Sequence, residues 1–192
     1  MMWRFSNRAD PYARAIADRH YNRQKVGAEQ FAPPGKCLVL VVDDLEPAAR
    51  ALWISSAPIA TYVQHAWAGA WMCTAFRNEG AGLASELILE AVAATVAAWG
   101  PPPPLGMVTF VDASKVERKR QPGRCYIKAG FKVVGATQGG LVALQLLPDA
   151  FPAPQLGLPP RRGVSSKYAP PRQQDLLNRH LRPGQPAADR IP

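Results

Sequence analysis

Phe76-Arg77-Asn78-Glu79-Gly80-Ala81-Gly82-Leu83 is the stretch that decides the fold. Apolar residues precede it, and from Leu83 the pattern turns helical, with Leu87, Glu90-Ala91, Ala94 and Thr95 at steps of three and four. A strand, a glycine turn and a helix start therefore meet within a few residues. A helix N-terminus carries unpaired backbone N–H groups and the positive end of the dipole. Glycines let the backbone approach a ligand closely. Together they make a cradle for a pyrophosphate, formed by the backbone of Asn78 to Gly82. A plain strand-to-helix turn is the simpler reading. A Walker loop does not fit, because no Gly-Lys-Ser/Thr follows.

Outward from this turn, the long helix ends at Gly100, before Pro101 to Pro104. Met107 to Val111 is a short buried-type strand ending at Asp112. Arg124 to Ala129 makes a short helix closed by Gly130. Phe131 to Val134 and Leu141 to Leu147 are two closing strands around Gly139-Gly140. Upstream, Asp10-Pro11 starts a helix that His20 ends. Cys37 to Val42 is a strand terminated by Asp43-Asp44, Ala51 to Ile54 is a second, and Tyr62 to Phe76 holds a third. This order predicts an α/β (α+β) fold, a mixed sheet flanked by helices.

The chain has 192 residues, a formal net charge of +9 and an apolar fraction of 47%. That suits one domain, residues 1–148, with an ample core. Of the 20 prolines, half follow Leu147. Residues 149–192 read as a disordered, basic, Pro/Arg-rich flexible tail, with one helical turn near Gln174 to Leu177. The basic excess favours a polyanionic partner, either nucleic acid or an acidic cofactor, and also suits a merely soluble surface. Cys37, Cys73 and Cys125 contain no CxxC pair, so no disulfide framework or zinc site is indicated, and a cytoplasmic location is expected. Met1 to Phe5 lacks the apolar run of a signal peptide. The apolar stretch Ala91 to Trp99, interrupted only by Thr95, is nine residues. That is far short of the roughly 20 needed to span a bilayer, so no membrane partner is expected.

Arg77-x-x-Gly80-x-Gly82 resembles the acyl-CoA pyrophosphate signature of GNAT acetyltransferases, and Tyr126-Ile-Lys-Ala-Gly130-Phe131 resembles their Y-x-x-x-G-F element. The likeness covers about residues 10 to 147. It implies a GNAT-like acyl-CoA-dependent N-acyltransferase using acetyl-CoA or another acyl-CoA. Cofactor contacts would fall on Arg77, Asn78, Gly80, Ala81 and Gly82. Tyr126 would protonate the departing thiolate; packing beside Phe131 is its structural alternative.

A narrower pattern resembles the Mom family, phage GNAT relatives that modify adenine in DNA. It comprises His20-Tyr21-Asn22, Phe76-Arg77-Asn78-Glu79 with Ser85, Asp112, and Gly123-Arg-Cys-Tyr126 with Gly130-Phe131. Asn22 stands where that family usually has serine, and the glycine loop is closer to an ordinary acetyltransferase. The resemblance implies a DNA base as acceptor. Small-molecule or protein N-acetylation, and a non-catalytic DNA-binding protein, are the alternatives.

The remaining candidates follow from residue type. His20 titrates near neutrality, so it suits a general base, a metal ligand or a cation at a helix end. Asp112 at a strand end either handles the amine proton or caps its own turn through Ala113-Ser114. Glu79 would face an anionic pyrophosphate unfavourably, so it pairs with Arg77 or turns to the substrate. Lys115, Arg118, Lys119, Arg120, Arg124 and Lys128 form a basic cluster suited to phosphates. Tyr21, Ser85, Lys119, Arg120 and Arg124 are the expected substrate contacts. Trp53, Trp67 and Trp71 are either core or a stacking surface for an extruded base.

Overall fold

A computed structural model of the chain describes residues 2–45, 49–59, 63, 65–115 and 121–168. Seven strands form one sheet: β1 (Arg4–Ser6), β2 (Lys36–Leu45), β3 (Ala49–Ala57), β4 (Trp71–Glu79), β5 (Met107–Val111), β6 (Lys132–Ala136) and β7 (Val142–Leu146), in spatial order β1-β2-β3-β4-β5-β7-β6. Helix α1 (Pro11–Ala17) covers one face, while α2 (Ala84–Trp99) and α3 (Arg124–Lys128) cover the other. β4 and β5 are parallel, and the other neighbouring pairs are antiparallel. The mixed α/β class thus follows the sequence expectation.

The central strands are apolar throughout because both faces are covered. On β2, Leu38, Leu40 and Val42 join the α2-side core, while Cys37, Val39 and Val41 join the α1-side core. α1 begins as expected: Asp10 Oδ1 accepts from the Tyr12 N–H at 2.9 Å, and Ser6 Oγ donates to Asp10 Oδ2 at 2.6 Å. α2 ends at Gly100, which has φ of 87°.

The structure corrects the sequence reading at several points. α1 stops at Ala17 with Asp18 as its cap, so His20 lies in the turn beyond the helix. β2 runs through Asp43-Asp44 to Leu45. Asp43 is tolerated inside because Arg4 Nε lies 3.1 Å from one carboxylate oxygen and Arg161 pairs with the other. β1 is an additional strand, too short for an alternation signal. β4 extends to Glu79, so Arg77 and Asn78 belong to a strand.

Composition also changes at Pro148 without ending the packed chain. Phe151 and Tyr168 pack on the core. Phe5 N–H donates to Leu158 O at 3.0 Å, and Leu158 N–H returns a bond to Trp3 O at 2.8 Å. Residues 149–168 of the expected tail are therefore held on the domain. The helical turn expected near Gln174 to Leu177 lies outside the described residues.

Candidate functional site

β4 and β5 pair only at Trp71–Met107, Met72–Val108 and Cys73–Thr109. Against β3, Ile54 faces Ala75 and Ser55 faces Cys73, so Thr74 is an extra residue. This bulge sits where the parallel pairing stops. A bulge bends its strand and is a common way to re-aim side chains at a site. Beyond it the strands part, and a cavity of about 560 Å³ opens at their C-terminal ends. Such a crevice is the usual ligand position in open α/β sheets.

Of the expected catalytic and substrate-contact residues, His20, Tyr21, Ser85, Arg124 and Tyr126 line this cavity, joined by Asn22 and Lys128. Tyr126 is buried, with its ring edge-on to Phe76 and Phe131. Its hydroxyl lies 3.4 Å from Cys73 Sγ. Burial, then the neighbouring Cys73, raise the phenol well above its usual range. It is a neutral O–H donor at physiological pH. Burial also pushes the Cys73 thiol up to about 12. Thr109 Oγ1 donates to Cys73 O at 3.1 Å, fixing the last rung before the strands part.

His20 is buried beside this opening and stacks on Tyr21, with centroids 4.5 Å apart. Its Nδ1 contacts Asn22 Oδ1, and the backbone of Phe76 lies near its ring. Burial is the largest influence and lowers its pKa, whereas these two neighbours favour the charged ring. The ring is therefore neutral near pH 7, with groups in place to steady it once protonated. Tyr21 extends toward the backbone of Asp112, so the turn after α1 approaches the end of β5.

The glycine turn departs from the cradle expected of it. Asn78 Oδ1 accepts from Ala81 N–H at 2.9 Å, and Asn78 Nδ2 donates to Gly82 O at 2.8 Å. Asn78 and Ala81 thus hold the loop itself. Gly80 and Gly82 have φ of 83° and 133°, which explains the glycines, and Gly80 bridges to Arg50. None of these residues lines the cavity. Leu83, Ala84 and Ser85 do, so the start of α2 reaches it one turn later than expected.

Arg77 points elsewhere as well. Its Nε donates to Glu79 at 2.5 Å, and its Nη1 donates to Arg19 O. Arg19 grips both oxygens of Glu79, at 2.7 and 2.6 Å. These guanidinium groups, Arg19 foremost, hold the Glu79 carboxyl down to about 2. Of the two readings of Glu79, pairing with Arg77 is the one found. Alternation along β4 sends Arg77 and Glu79 to the α1 side, away from Phe76 and the cavity.

Asp112 is also removed from the site. Its Oδ1 accepts from the Ser114 hydroxyl at 2.6 Å and from the Ser114 N–H at 2.9 Å, which lowers its pKa. It caps a turn and does not line the cavity. Lys119 and Arg120 lie outside the described residues. Trp53 and Trp71 are core, and Trp67 packs on Phe110 and His65. Cys73 and Thr109 are cavity residues that the sequence reading did not select as site residues. They face each other at the last pair of the β4–β5 ladder, and strand pairing of this kind is not written in either segment alone. Among the described residues no cluster suited to a metal ion occurs, and no helix is long and apolar enough to cross a membrane. No protein-family model, curated protein or solved structure matches the chain.

Proposed function

We propose that the protein is an acyl-CoA-dependent N-acyltransferase whose donor occupies the cavity between the diverging ends of β4 and β5, with a DNA base as acceptor. One observation carries this reading: the start of α2 and Tyr126 line the same crevice at the strand ends. The resemblance of Arg77-x-x-Gly80-x-Gly82 and Tyr126 to Phe131 to GNAT acyltransferases supports it from the sequence side.

The residues fit such a donor. Phe76, Leu83 and Val111 offer apolar wall for a pantetheine-like chain. The first-turn amides of α2, together with Arg124 and Lys128, offer positive potential for phosphates. An acyl-CoA would supply an activated acyl group on a thioester. Tyr126 holds a proton where a thiolate would depart, and neutral His20 takes the proton released by the amine. The DNA acceptor rests on the resemblance to Mom proteins and on the net charge of +9.

Two measurements test this. Calorimetry with acetyl-CoA in high salt is expected to give saturable binding; no heat of binding removes the catalytic reading and leaves a DNA-binding protein. Mass spectrometry of nucleosides from cells expressing the chain is expected to reveal an acylated base. Unmodified nucleosides together with turnover on small amines or peptides would assign a different acceptor.

A further inference from the structure

A second cavity of about 420 Å³ lies against the first, on the side of α1. His20, Asn22, Thr74 and Ala75 line both, so the two meet at the bulge in β4. The wall of the second cavity carries three carboxamides, Asn22, Gln24 and Gln30, and a phenyl ring, Phe31, besides His20. Its single arginine is already engaged. Arg23 Nε donates to Asp18 at 2.7 Å, Nη1 to Gln30 O at 3.0 Å and Nη2 to Ala28 O at 2.7 Å. Gly27 N–H donates to the other Asp18 oxygen at 3.1 Å. These bonds clamp residues 18 to 30 and present the carboxamides on a fixed loop. Gln30 Nε2 makes a long contact of 3.5 Å to Ala32 O, which leaves the amide open to a better partner.

Among the described lining residues there is no carboxylate. A cationic amine would lose its hydration there without gaining a counter-charge. A phosphate would find Arg23 already neutralised by Asp18. The wall suits a neutral, flat ligand instead. A carboxamide offers a donor and an acceptor side by side, which matches the edge of a nucleobase, and a phenyl ring offers a stacking face. The volume lies within the ordinary range for small-ligand sites, roughly 300–1,000 Å³.

We infer that this second cavity is the acceptor site, that it takes an unpaired nucleobase, and that Asn22, Gln24, Gln30 and Phe31 determine the choice. The inference rests on the acyltransfer reading for the reaction that follows, while recognition of the base does not depend on it. A base seated there has its edge near His20, at the junction with the donor cavity.

The test uses the full chain with nitrogen-15 labelling. Titration with 2′-deoxyadenosine is expected to shift the side-chain amide signals of Asn22, Gln24 and Gln30, while butylammonium shifts none of them. Gln24→Leu with Gln30→Leu is expected to weaken deoxyadenosine binding about tenfold or more. Phe31→Leu, which keeps the bulk and removes the stacking face, is expected to weaken it as well. Acetyl-CoA binding and the thermal midpoint should change little in either variant. Absence of any nucleoside-induced shift, undiminished affinity in the double variant, or equal binding of butylammonium would overturn the assignment. Loss of the acyltransfer reading looks different: acetyl-CoA fails to bind while deoxyadenosine still does.

Discussion

The hydroxyl of Tyr126 lies 3.4 Å from Cys73 Sγ, at the last paired position of the parallel β4–β5 ladder. α3 thereby places a neutral proton donor at the point where the sheet opens. Tyr126→Phe keeps the ring contacts with Phe76 and Phe131 and removes the proton. It should lower kcat about 100-fold with little change in the acyl-CoA KM. Steady-state kinetics on the acceptor found by mass spectrometry measures this; full kcat in the variant would remove Tyr126 from the chemistry.

Cys73 itself should behave as an inert buried thiol. The unfolded chain loses this proton near pH 9.0 and the folded chain only near 12. Its contribution to stability is complete below pH 9 and declines as the pH climbs toward 12. Native thiol titration at pH 8 should leave Cys73 unmodified, and denaturant midpoints should fall on the alkaline side of pH 9.

His20 should give the acid limb of the rate profile. Its pKa is depressed below the usual 6.5, so the ring stays neutral to lower pH than a free imidazole. Activity should fall only below pH 6.5, as the ring gains a proton. His20→Gln should remove that limb along with most of kcat. A profile of kcat/KM against pH with the limb intact in the variant would assign it to another group.

Glu79 supplies the acid side of stability. Arg19 and Arg77 hold its carboxyl at about 2 against an ordinary 4.5. The stabilising pairing is fully present above pH 4.5 and is lost as the pH falls through 2. The Arg19 partner is exposed, so the effect should be modest, about 1 kcal/mol. Urea unfolding of Glu79→Gln against wild type should show a full deficit at pH 6 that shrinks as the pH is lowered from 4.5 toward 2.

A buried polar chain ties β3 to α2. Trp53 Nε1 donates to Ser55 Oγ at 2.6 Å, and Ser55 Oγ lies 2.9 Å from Thr95 Oγ1. Thr95 Oγ1 donates in turn to Ala91 O at 2.8 Å. Ser55→Ala strands the indole N–H in a dry core and should cost about 1–3 kcal/mol in chemical denaturation. Asp112→Ala is the contrasting case, because its carboxylate serves an exposed turn, and activity should stay within about twofold of wild type.

Much of the framework was legible from residue order alone. Asp10-Pro11 marks the start of α1, Gly100 the end of α2, and the apolar runs at Cys37, Ala51, Met107 and Leu141 mark strands, because caps and periodicity are local. Tyr126 was legible as a candidate through the resemblance of Tyr126 to Phe131 to the GNAT element, and His20 through its titration near neutrality and the Mom-like pattern around it. The same local reasoning put Asn78 at a ligand and left Arg77 and Asp112 with two readings each. Their side chains found partners in Glu79, Ala81 and Ser114, and only backbone geometry decides which partner is in reach. Residues 149–168 read as tail because Pro-rich composition signals a lack of helix and strand, while docking on Trp3, Phe5 and Asp43 depends on surfaces distant in the chain. The glycine stretch was legible as a turn between strand and helix. Its distance from the crevice was set by tertiary structure: β4 and β5 stop pairing at Cys73–Thr109, next to a one-residue bulge at Thr74, and α3 brings Tyr126 to the same place.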